Sequence, residues 1–251
     1  MRGSAPSFGI ATSIRVKTFP VPPSVTVFSY SWNMSAVEVT SSLSSFQDFA
    51  YTNIPSELGI LLTFNRGLHS GQLSLSLIGA WWGPDDYFNK TISPLLQGFP
   101  RNYEPLVLQG TYIQSIERLG YQVINDNVTA ENLYLKSILT PEQSPMTNKA
   151  IAAFVQQFVD YQAPPNLVRL SKWVSNSTLI EVRPQYFDCV FELYGGTNSA
   201  VNAVAPNATS YAHRNSLFLI QVSAVFFPME ATFPSVGIEI ADSTYLIFPF
   251  R

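Results

Sequence analysis

The sequence predicts an α+β fold, a large antiparallel sheet with helices packed mainly on one face. Hydrophobic residues make up 46% of the 251 residues and charged residues only 12%, which is enough apolar material for an ordered core. Some segments alternate apolar and polar residues, as half-buried strands do, and others place apolar residues at helical spacing. Their order along the chain, β-α-β-β-α-α-α-β-β, lacks the regular alternation of a parallel α/β sheet.

The first part of the chain predicts two strands and a helix. Ile14–Phe19 alternates apolar and polar residues and ends at a run of prolines, so it predicts a strand that enters a linker. Val25–Trp32 is rich in aromatic and β-branched residues and predicts a second strand. Ser35 and Glu38 form a capping box, which starts a helix. The apolar stripe of that helix consists of Val39, Leu43, Phe46 and Ala50.

The next two segments predict an antiparallel hairpin. Leu58–Asn65 and Leu73–Leu77 both alternate apolar with polar residues, and Gly67–Gly71 supplies a turn between them. One face of such a hairpin is buried and the other is polar. We therefore expect this hairpin to bury one of its faces.

Three helices and two strands complete the prediction. Helices are expected at Pro84–Leu96, at Thr111–Leu119 and after Thr147, which can cap the third. The apolar residues of the third helix recur at helical spacing and are Ile151, Phe154, Val155, Phe158 and Val159. Phe187–Tyr194 and Leu217–Ser223 are predicted strands. Helices on one face leave the other sheet face uncovered, so that face either meets water or roofs a ligand site completed by another domain.

Composition and charge exclude several classes of function. The net charge is −3 and no cluster of basic residues exists, so we expect no nucleic-acid partner. The single cysteine, Cys189, cannot form an intrachain disulfide and is expected to be a buried thiol. With two histidines far apart in the chain, no metal site is expected. A Ser-His-Asp hydrolase is disfavoured because no Gly-x-Ser-x-Gly motif is present.

The sequence indicates a secreted protein without a membrane anchor. The N-glycan acceptor rule is met at Asn33, Asn89, Asn127, Asn176 and Asn207. No apolar stretch approaches the ~20 residues that a membrane-spanning helix needs. The first residues lack the apolar core of a signal peptide, so we expect the targeting segment to be missing from this chain.

Several segments together resemble one family of flavoproteins. Arg2–Thr12 is similar to the closing segment of the FAD-binding domain of berberine-bridge-enzyme-like oxidases, of the vanillyl-alcohol-oxidase type, although Pro6 and Ala11 depart from the family pattern. This group includes fungal glucooligosaccharide oxidases. Further similar segments follow in the family's order: Trp32–Ala36, Phe46–Ala50, Leu133–Ser137, Leu139–Thr140, Glu192–Ala200 and Tyr211–Gln221.

The resemblance implies one part of a two-domain oxidase that uses FAD. In the family, an alcohol or hemiacetal loses a proton to a base and a hydride to the flavin, which oxygen reoxidises. The implied organisation is the end of the FAD-binding domain at residues 1–20, a substrate-binding domain at 21–240 and an atypical tail at 241–251. Small residues let a main chain approach a cofactor closely. The residues expected to contact FAD are Gly3, Ser7, Phe8, Gly9 and Ile10.

Three residues near the end of the chain are candidates for the substrate site. Strand alternation places Val190, Glu192 and Tyr194 on one face, and in the resemblance Glu192 matches a carboxylate that faces the pocket. It either assists proton removal or binds a sugar hydroxyl, or it is simply solvated. Gln221 matches a position lining the substrate groove and, with Tyr194, is expected to bind substrate; alternatively Gln221 bonds to backbone. Relatives often carry Gln where Val190 stands, which leaves room for a smaller or more apolar alcohol.

Parts of the family pattern are missing from this chain. The histidine and cysteine that often anchor FAD are absent, as is the C-terminal Tyr-x-Asn-Tyr-type motif whose tyrosine is the expected base. We therefore expect this chain to be inactive alone. Three hypotheses remain open: a fragment of an FAD-dependent oxidase of a carbohydrate or other alcohol, a non-catalytic sugar-binding or structural remnant, and an unrelated secreted α+β domain.

Overall fold

The computed structural model describes residues 8–119, 132–162, 184–226, 233 and 235–246. Within these ranges it contains seven strands and five helices. The strands are β1 (Val25–Ser35), β2 (Leu58–Arg66), β3 (Gln72–Trp81), β4 (Glu104–Gly110), β5 (Asn132–Pro141), β6 (Pro184–Leu193) and β7 (Ser216–Phe226). The helices are α1 (Ala36–Ala50), α2 (Asp85–Leu96), α3 (Tyr112–Leu119), α4 (Asn148–Gln162) and α5 (Ser235–Leu246).

All seven strands form one antiparallel sheet in the order β4-β1-β3-β2-β6-β7-β5. The predicted hairpin, β2 and β3, lies inside it, with Leu62 opposite Leu77 and Thr63 opposite Ser76. Strand β6 joins β2 to the β7–β5 pair, so residues far apart in sequence become neighbours. The predicted α+β class is confirmed.

Helix α1 begins as the capping box predicts. The Ser35 hydroxyl accepts a hydrogen bond from the Glu38 backbone N–H, and the Glu38 carboxylate accepts one from the Ser35 backbone N–H. These two bonds satisfy amides that the first helical turn leaves free. Val39, Leu43, Phe46 and Ala50 are all fully buried, so the predicted stripe faces the sheet.

Helices α1, α2, α4 and α5 contribute to one hydrophobic core on one face of the sheet. Aromatic rings connect the two layers: Phe46 of α1 stacks on Phe218 of β7 with ring centroids 5.2 Å apart, and Phe154 of α4 meets Phe191 of β6 at 5.5 Å. Such pairs add to the free energy gained by burying the rings. The alternate residues of the same strands point to the opposite face, which these helices leave uncovered.

The predicted strand Ile14–Phe19 is wrong. The structure gives this segment no regular secondary structure, and Ile14, Val16 and Phe19 are between 72% and 80% exposed. Alternation alone does not make a strand, because a strand also needs a partner for its backbone hydrogen bonds. Among the described residues, none pairs with this segment.

Two strands that sequence reasoning missed, β4 and β5, form the two edges of the sheet. Pro105 lies inside β4 and Pro141 ends β5, and prolines argue against a strand in sequence. An edge strand tolerates proline because one of its sides makes no ladder bonds. Strand β5 also carries Leu133 and Leu135 on its exposed side, which hides its alternation.

Helix α5 was also missed, and it crosses the expected limit of the substrate-binding domain at residue 240. Its twelve residues include one glycine, two serines and four β-branched residues, all of low helix propensity. Packing decides the outcome, because Ala241 is fully buried and Asp242 bonds to Tyr134 and Lys136 of β5. No helix in the described ranges is both long and apolar enough to cross a bilayer.

Candidate functional site

The uncovered face of the sheet carries two parallel rows of side chains that run across the strands. The registers of the six strand pairs define both rows. The first row, from β4 to β5, is Leu106, Ser29, Ile78, Leu61, Glu192, Leu219 and Leu139. The second row, two residues away along each strand, is Glu104, Ser31, Ser76, Thr63, Val190, Gln221 and Ser137. Towards the end of β7 this face closes, because Ser223 and Val225 are buried.

Glu192 lies in the first row, on β6, between Leu61 and Leu219. Its neighbour along the same face of β6 is Val190, so apolar side chains surround the carboxyl on three sides. This burial raises the pKa of the Glu192 carboxyl above its ordinary value. A carboxyl group with a raised pKa, still partly exposed, can exchange a proton with a bound hydroxyl.

Gln221 lies in the second row, on β7, directly opposite Val190. It is therefore diagonal to Glu192, a relation that separates side chains by roughly 7–8 Å at their bases. The sequence prediction that both residues share one sheet face is met by the register. Their catalytic and substrate-binding roles stay predictions.

Tyr194 follows β6 directly and adjoins the same area. Its backbone N–H donates to the carbonyl of Leu217 at 2.9 Å, which anchors the residue at the start of β7. Burial raises the pKa of the Tyr194 phenol, and the charges of Glu192 and Tyr211 raise it further. The phenol therefore stays protonated at neutral pH and can donate a hydrogen bond to a ligand.

Two glycines end β6 and start the long loop to β7. A Cβ on Gly195 would lie 2.0 Å from the Ser216 carbonyl oxygen, and Gly196 has a φ of +95° that favours glycine. The loop is then held by Arg214, whose guanidinium donates to the Val201 carbonyl and the Thr209 hydroxyl and lies over the Tyr211 ring. This network joins the middle of the loop to its end just before β7.

A small cleft of about 150 Å³ opens where this loop meets the start of β2. Residues 54–56, Leu58 and residues 193–201 line it. The Asn198 amide spans its floor by donating to the Ile54 carbonyl at 2.6 Å and to the Asn53 side chain at 3.0 Å. The cleft touches Tyr194 but contains neither Glu192 nor Gln221, so it borders the candidate site and does not form it.

Of the residues expected to contact FAD, the structure describes Phe8, Gly9 and Ile10. Gly3 and Ser7 lie outside the described residues. Phe8 is 75% and Ile10 93% exposed, and a Cβ on Gly9 would meet no atom within 4 Å. A flavin-binding role for these residues stays a prediction.

Cys189 is a fully buried free thiol on the covered face, as predicted. Burial raises the pKa of this thiol, so it is chemically quiet. Across the described ranges, no three His, Cys, Asp or Glu side chains come together as a group that could hold a metal ion. His69 and His213 are both exposed and lie in separate loops.

Sequence reasoning found Glu192, Gln221 and Tyr194 but missed their neighbours Leu61, Thr63, Leu219 and Ser137. Alternation in the predicted hairpin already put Leu61 and Thr63 on one face. What the sequence did not contain was the pairing of β2 with β6, which joins segments more than 120 residues apart. Non-local strand pairing leaves no local signal in the sequence.

Comparison with known proteins confirms the predicted resemblance. The glucooligosaccharide oxidase of Sarocladium strictum is 25% identical over 249 residues, covering 95% of this chain and 44% of that protein. The carbohydrate oxidase of Microdochium nivale is 28% identical over 250 residues, covering 96% and 45%. The chain thus spans less than half the length of these curated relatives. No family model matches the sequence.

Solved structures share the fold. A structure of glucooligosaccharide oxidase from Acremonium strictum, with its 6-S-cysteinyl, 8α-N1-histidyl FAD, aligns with a TM-score of 0.68 at 23% identity and covers 91% of this chain and 44% of that one. A BBE-like protein of Physcomitrella patens aligns with a TM-score of 0.69 at 22% identity, with the same coverage. Sequence identity at this level relates the chains by fold.

Proposed function

We propose that this chain is the substrate-facing part of an FAD-linked oxidase that acts on a carbohydrate or another alcohol. One observation carries the proposal: Glu192 and Gln221 lie diagonally opposite on neighbouring strands of an uncovered sheet face. Oxidation of an alcohol needs a group that takes the hydroxyl proton and a group that orients the hydroxyl. A carboxylate and an amide on one face supply both functions.

In this proposal the flavin is held by polypeptide outside this chain. Of the residues that the resemblance assigns to FAD, Phe8 and Ile10 are exposed, and a Cβ on Gly9 would meet no atom within 4 Å. The oxidases that the chain resembles are more than twice its length, which leaves room for a flavin-binding part. The cofactor would supply the redox chemistry, whereas this chain would bind and orient the substrate.

Glu192 is suited to proton transfer by its surroundings. Burial among its apolar neighbours Leu61, Leu219 and Val190 raises the pKa of its carboxyl. The Glu192 carboxylate therefore binds a proton more firmly than an ordinary glutamate does. Tyr194, close enough for the Glu192 charge to affect its pKa, can donate a hydrogen bond to the same ligand. Gln221 can both donate and accept, as a sugar hydroxyl requires.

The test of the function is the flavin content and activity of the protein encoded by the whole reading frame around this chain. We expect flavin absorbance near ~450 nm that persists through gel filtration, and oxygen uptake when a sugar or alcohol is added. A folded, colourless protein that takes up no FAD would contradict the proposal. Sequence upstream with a histidine and a cysteine in the flavin-anchoring positions would support it.

Variants of that flavoprotein test the two side chains. Removing a proton acceptor costs on the order of 10²-fold or more in turnover, so Glu192→Ala should lower kcat by more than it raises KM. Gln221→Ala should chiefly raise KM. Glu104→Ala is the matched control, a carboxylate on the same sheet face but four strands away on the edge strand β4. An unchanged kcat in Glu192→Ala would remove that residue from the chemistry.

A second candidate is a non-catalytic sugar-binding protein. It is favoured by the polar row around Gln221, which also contains Thr63 and Ser137. In that case cellobiose should raise the melting temperature of the chain without flavin, because a ligand that binds only the folded state stabilises it. If the protein is an oxidase instead, the flavin-loaded protein should turn over the substrate.

We also propose that the protein is secreted and glycosylated. Three of the five acceptor asparagines lie in the described residues, and all three are exposed: Asn33, Asn89 on α2 and Asn207 in the β6–β7 loop. Asn33 belongs to the uncovered sheet face, and its side chain accepts a hydrogen bond from the Leu68 N–H. On secretion from yeast, we expect a mass decrease after glycosidase treatment that Asn207→Gln and Asn89→Gln reduce. A single mass before and after treatment would contradict this proposal.

A further inference from the structure

The side chains that flank Glu192 form a continuous apolar strip. Leu61 is its cross-strand neighbour on one side and Leu219 on the other. The strip continues with Ile78 beyond Leu61 and with Leu139 beyond Leu219. Each of these four residues is partly exposed. The carboxylate therefore stands in the middle of a strip of branched aliphatic groups across five strands.

This strip is specific to one row of the face. The neighbouring row on the same strands carries Ser76, Thr63, Gln221 and Ser137, so the face as a whole is not apolar. Cross-strand packing of two leucines on a solvated face stabilises a sheet only modestly. A solvated sheet face gains little from aliphatic side chains beside its carboxylate, whereas a ligand that covers them gains in proportion to the apolar area removed from water.

The two rows together define the chemistry of a ligand. Glu192 and Gln221 are diagonal neighbours, so a hydroxyl placed between them meets a proton acceptor and an amide. Leu61 and Leu219 lie on both sides of Glu192, so whatever is attached to the carbon bearing that hydroxyl rests on an aliphatic surface. A ring covered with hydroxyl groups would leave them partly without partners on this strip, which costs binding free energy.

We propose that Leu61 and Leu219 select an alcohol with an apolar substituent, such as an aromatic ring, beside the hydroxyl that Glu192 meets. The inference rests on the proposed function and narrows its substrate class: this site prefers aryl alcohols to unsubstituted sugars. Val190 in the adjacent row extends the same preference, because it places an aliphatic side chain opposite Gln221.

The test compares the binding of benzyl alcohol and of D-glucose to the chain by methyl NMR of labelled leucines. We expect benzyl alcohol to bind roughly tenfold more tightly, as covering an aromatic ring predicts. The methyl signals of Leu61 and Leu219 should move most. In the double variant Leu61→Asn/Leu219→Asn, benzyl alcohol should bind at most about threefold more tightly than D-glucose, because the aliphatic contact is lost.

The control variant is Leu106→Asn, at the β4 end of the same row and 55% exposed. It should leave the preference unchanged, since it lies four strands from Glu192. Equal affinities, binding of neither probe, or a preference that survives in the double variant would overturn the inference. A folded double variant is verified by unchanged core methyl signals, and the milder pair Leu61→Thr/Leu219→Thr replaces it if those signals change.

Activity of the flavin-loaded protein separates this inference from the function on which it rests. If D-glucose is oxidised with a kcat/KM equal to or above that of benzyl alcohol, the oxidase proposal stands and the apolar selection is wrong. If no flavin binds but benzyl alcohol still binds more tightly than D-glucose at Leu61 and Leu219, the two leucines select the ligand that binds. The inference then stands, and the oxidase proposal is wrong.

Discussion

The two faces of one sheet are built from alternate residues of the same strands, yet they have opposite characters. On β6, Phe191 is fully buried against rings from β2 and α4, whereas Val190 and Glu192 on either side of it are partly exposed. The covered face is aromatic and dry, and the uncovered face mixes hydroxyl groups, aliphatic groups and a carboxylate. Stability therefore resides on one face, which leaves the other free to carry a ligand site.

The largest expected effect tests this division within two adjacent residues. Phe191→Ala removes a ring that contacts Phe64 and Phe154, and we expect a loss of about 3–5 kcal/mol in the free energy of unfolding. Val190→Ala, the next residue on the opposite face, should cost less than about 1 kcal/mol. Urea unfolding of both variants measures the difference. Equal losses would show that the uncovered face also contributes to the core.

A pH dependence sharpens the comparison at Glu192. Because burial raises the pKa of its carboxyl in the folded chain, the folded state holds the proton at pH values where the unfolded chain has lost it. The contribution of Glu192 to the free energy of unfolding of the wild type is therefore lost as the pH rises above the ordinary glutamate pKa of about 4.3. Glu192→Gln should gain stability relative to wild type between pH ~4 and pH ~7.

Urea unfolding of the wild type and of Glu192→Gln at several pH values in this range measures the difference between their free energies of unfolding. Glu104→Gln, which removes an exposed carboxylate on the edge strand of the same face, is the control variant. A difference between Glu192→Gln and wild type that does not vary with pH would mean that the Leu61 and Leu219 side chains leave the carboxyl fully solvated.

The smallest expected effect concerns the polar row. The hydroxyl groups of Ser31 and Ser76 are 3.0 Å apart across β1 and β3 on the uncovered face. Water can replace either partner there, so Ser76→Ala should cost about 0.5 kcal/mol or less. A double-mutant cycle with Ser31→Ala isolates the coupling between the two groups. A coupling above about 1.5 kcal/mol would mean that the row is shielded from water and structural.

Much of the fold was predictable because its signals are local. The capping box at Ser35 and the stripe of α1, the β2–β3 hairpin and the stripe of α4 each depend on residues close in sequence. Failures came where context overrides local pattern: Ile14–Phe19 alternates without a partner, and β4 and β5 are edge strands that tolerate proline. Helix α5 forms through the burial of Ala241 despite its low helix propensity.

In the candidate site, too, some features were predictable from local sequence and others depended on strand pairing. Alternation within β6 put Glu192 on the face opposite Phe191, and the family resemblance drew attention to Gln221. That the two are diagonal neighbours, and that Leu61 lies beside Glu192, follows from the β2–β6 and β6–β7 registers. Registers depend on which strands meet, and this is set by packing of the helices over the whole sheet.

The sequence by itself determined which residues of each strand are apolar and which are polar, and therefore that the sheet has one buried face. Only the tertiary structure decided the order of the strands, because pairing between distant segments is set by the fit of the common core. The apolar strip around Glu192 comes from that order: Leu61 and Leu219 flank the carboxylate, with Ile78 and Leu139 beyond them, only when β6 lies between β2 and β7.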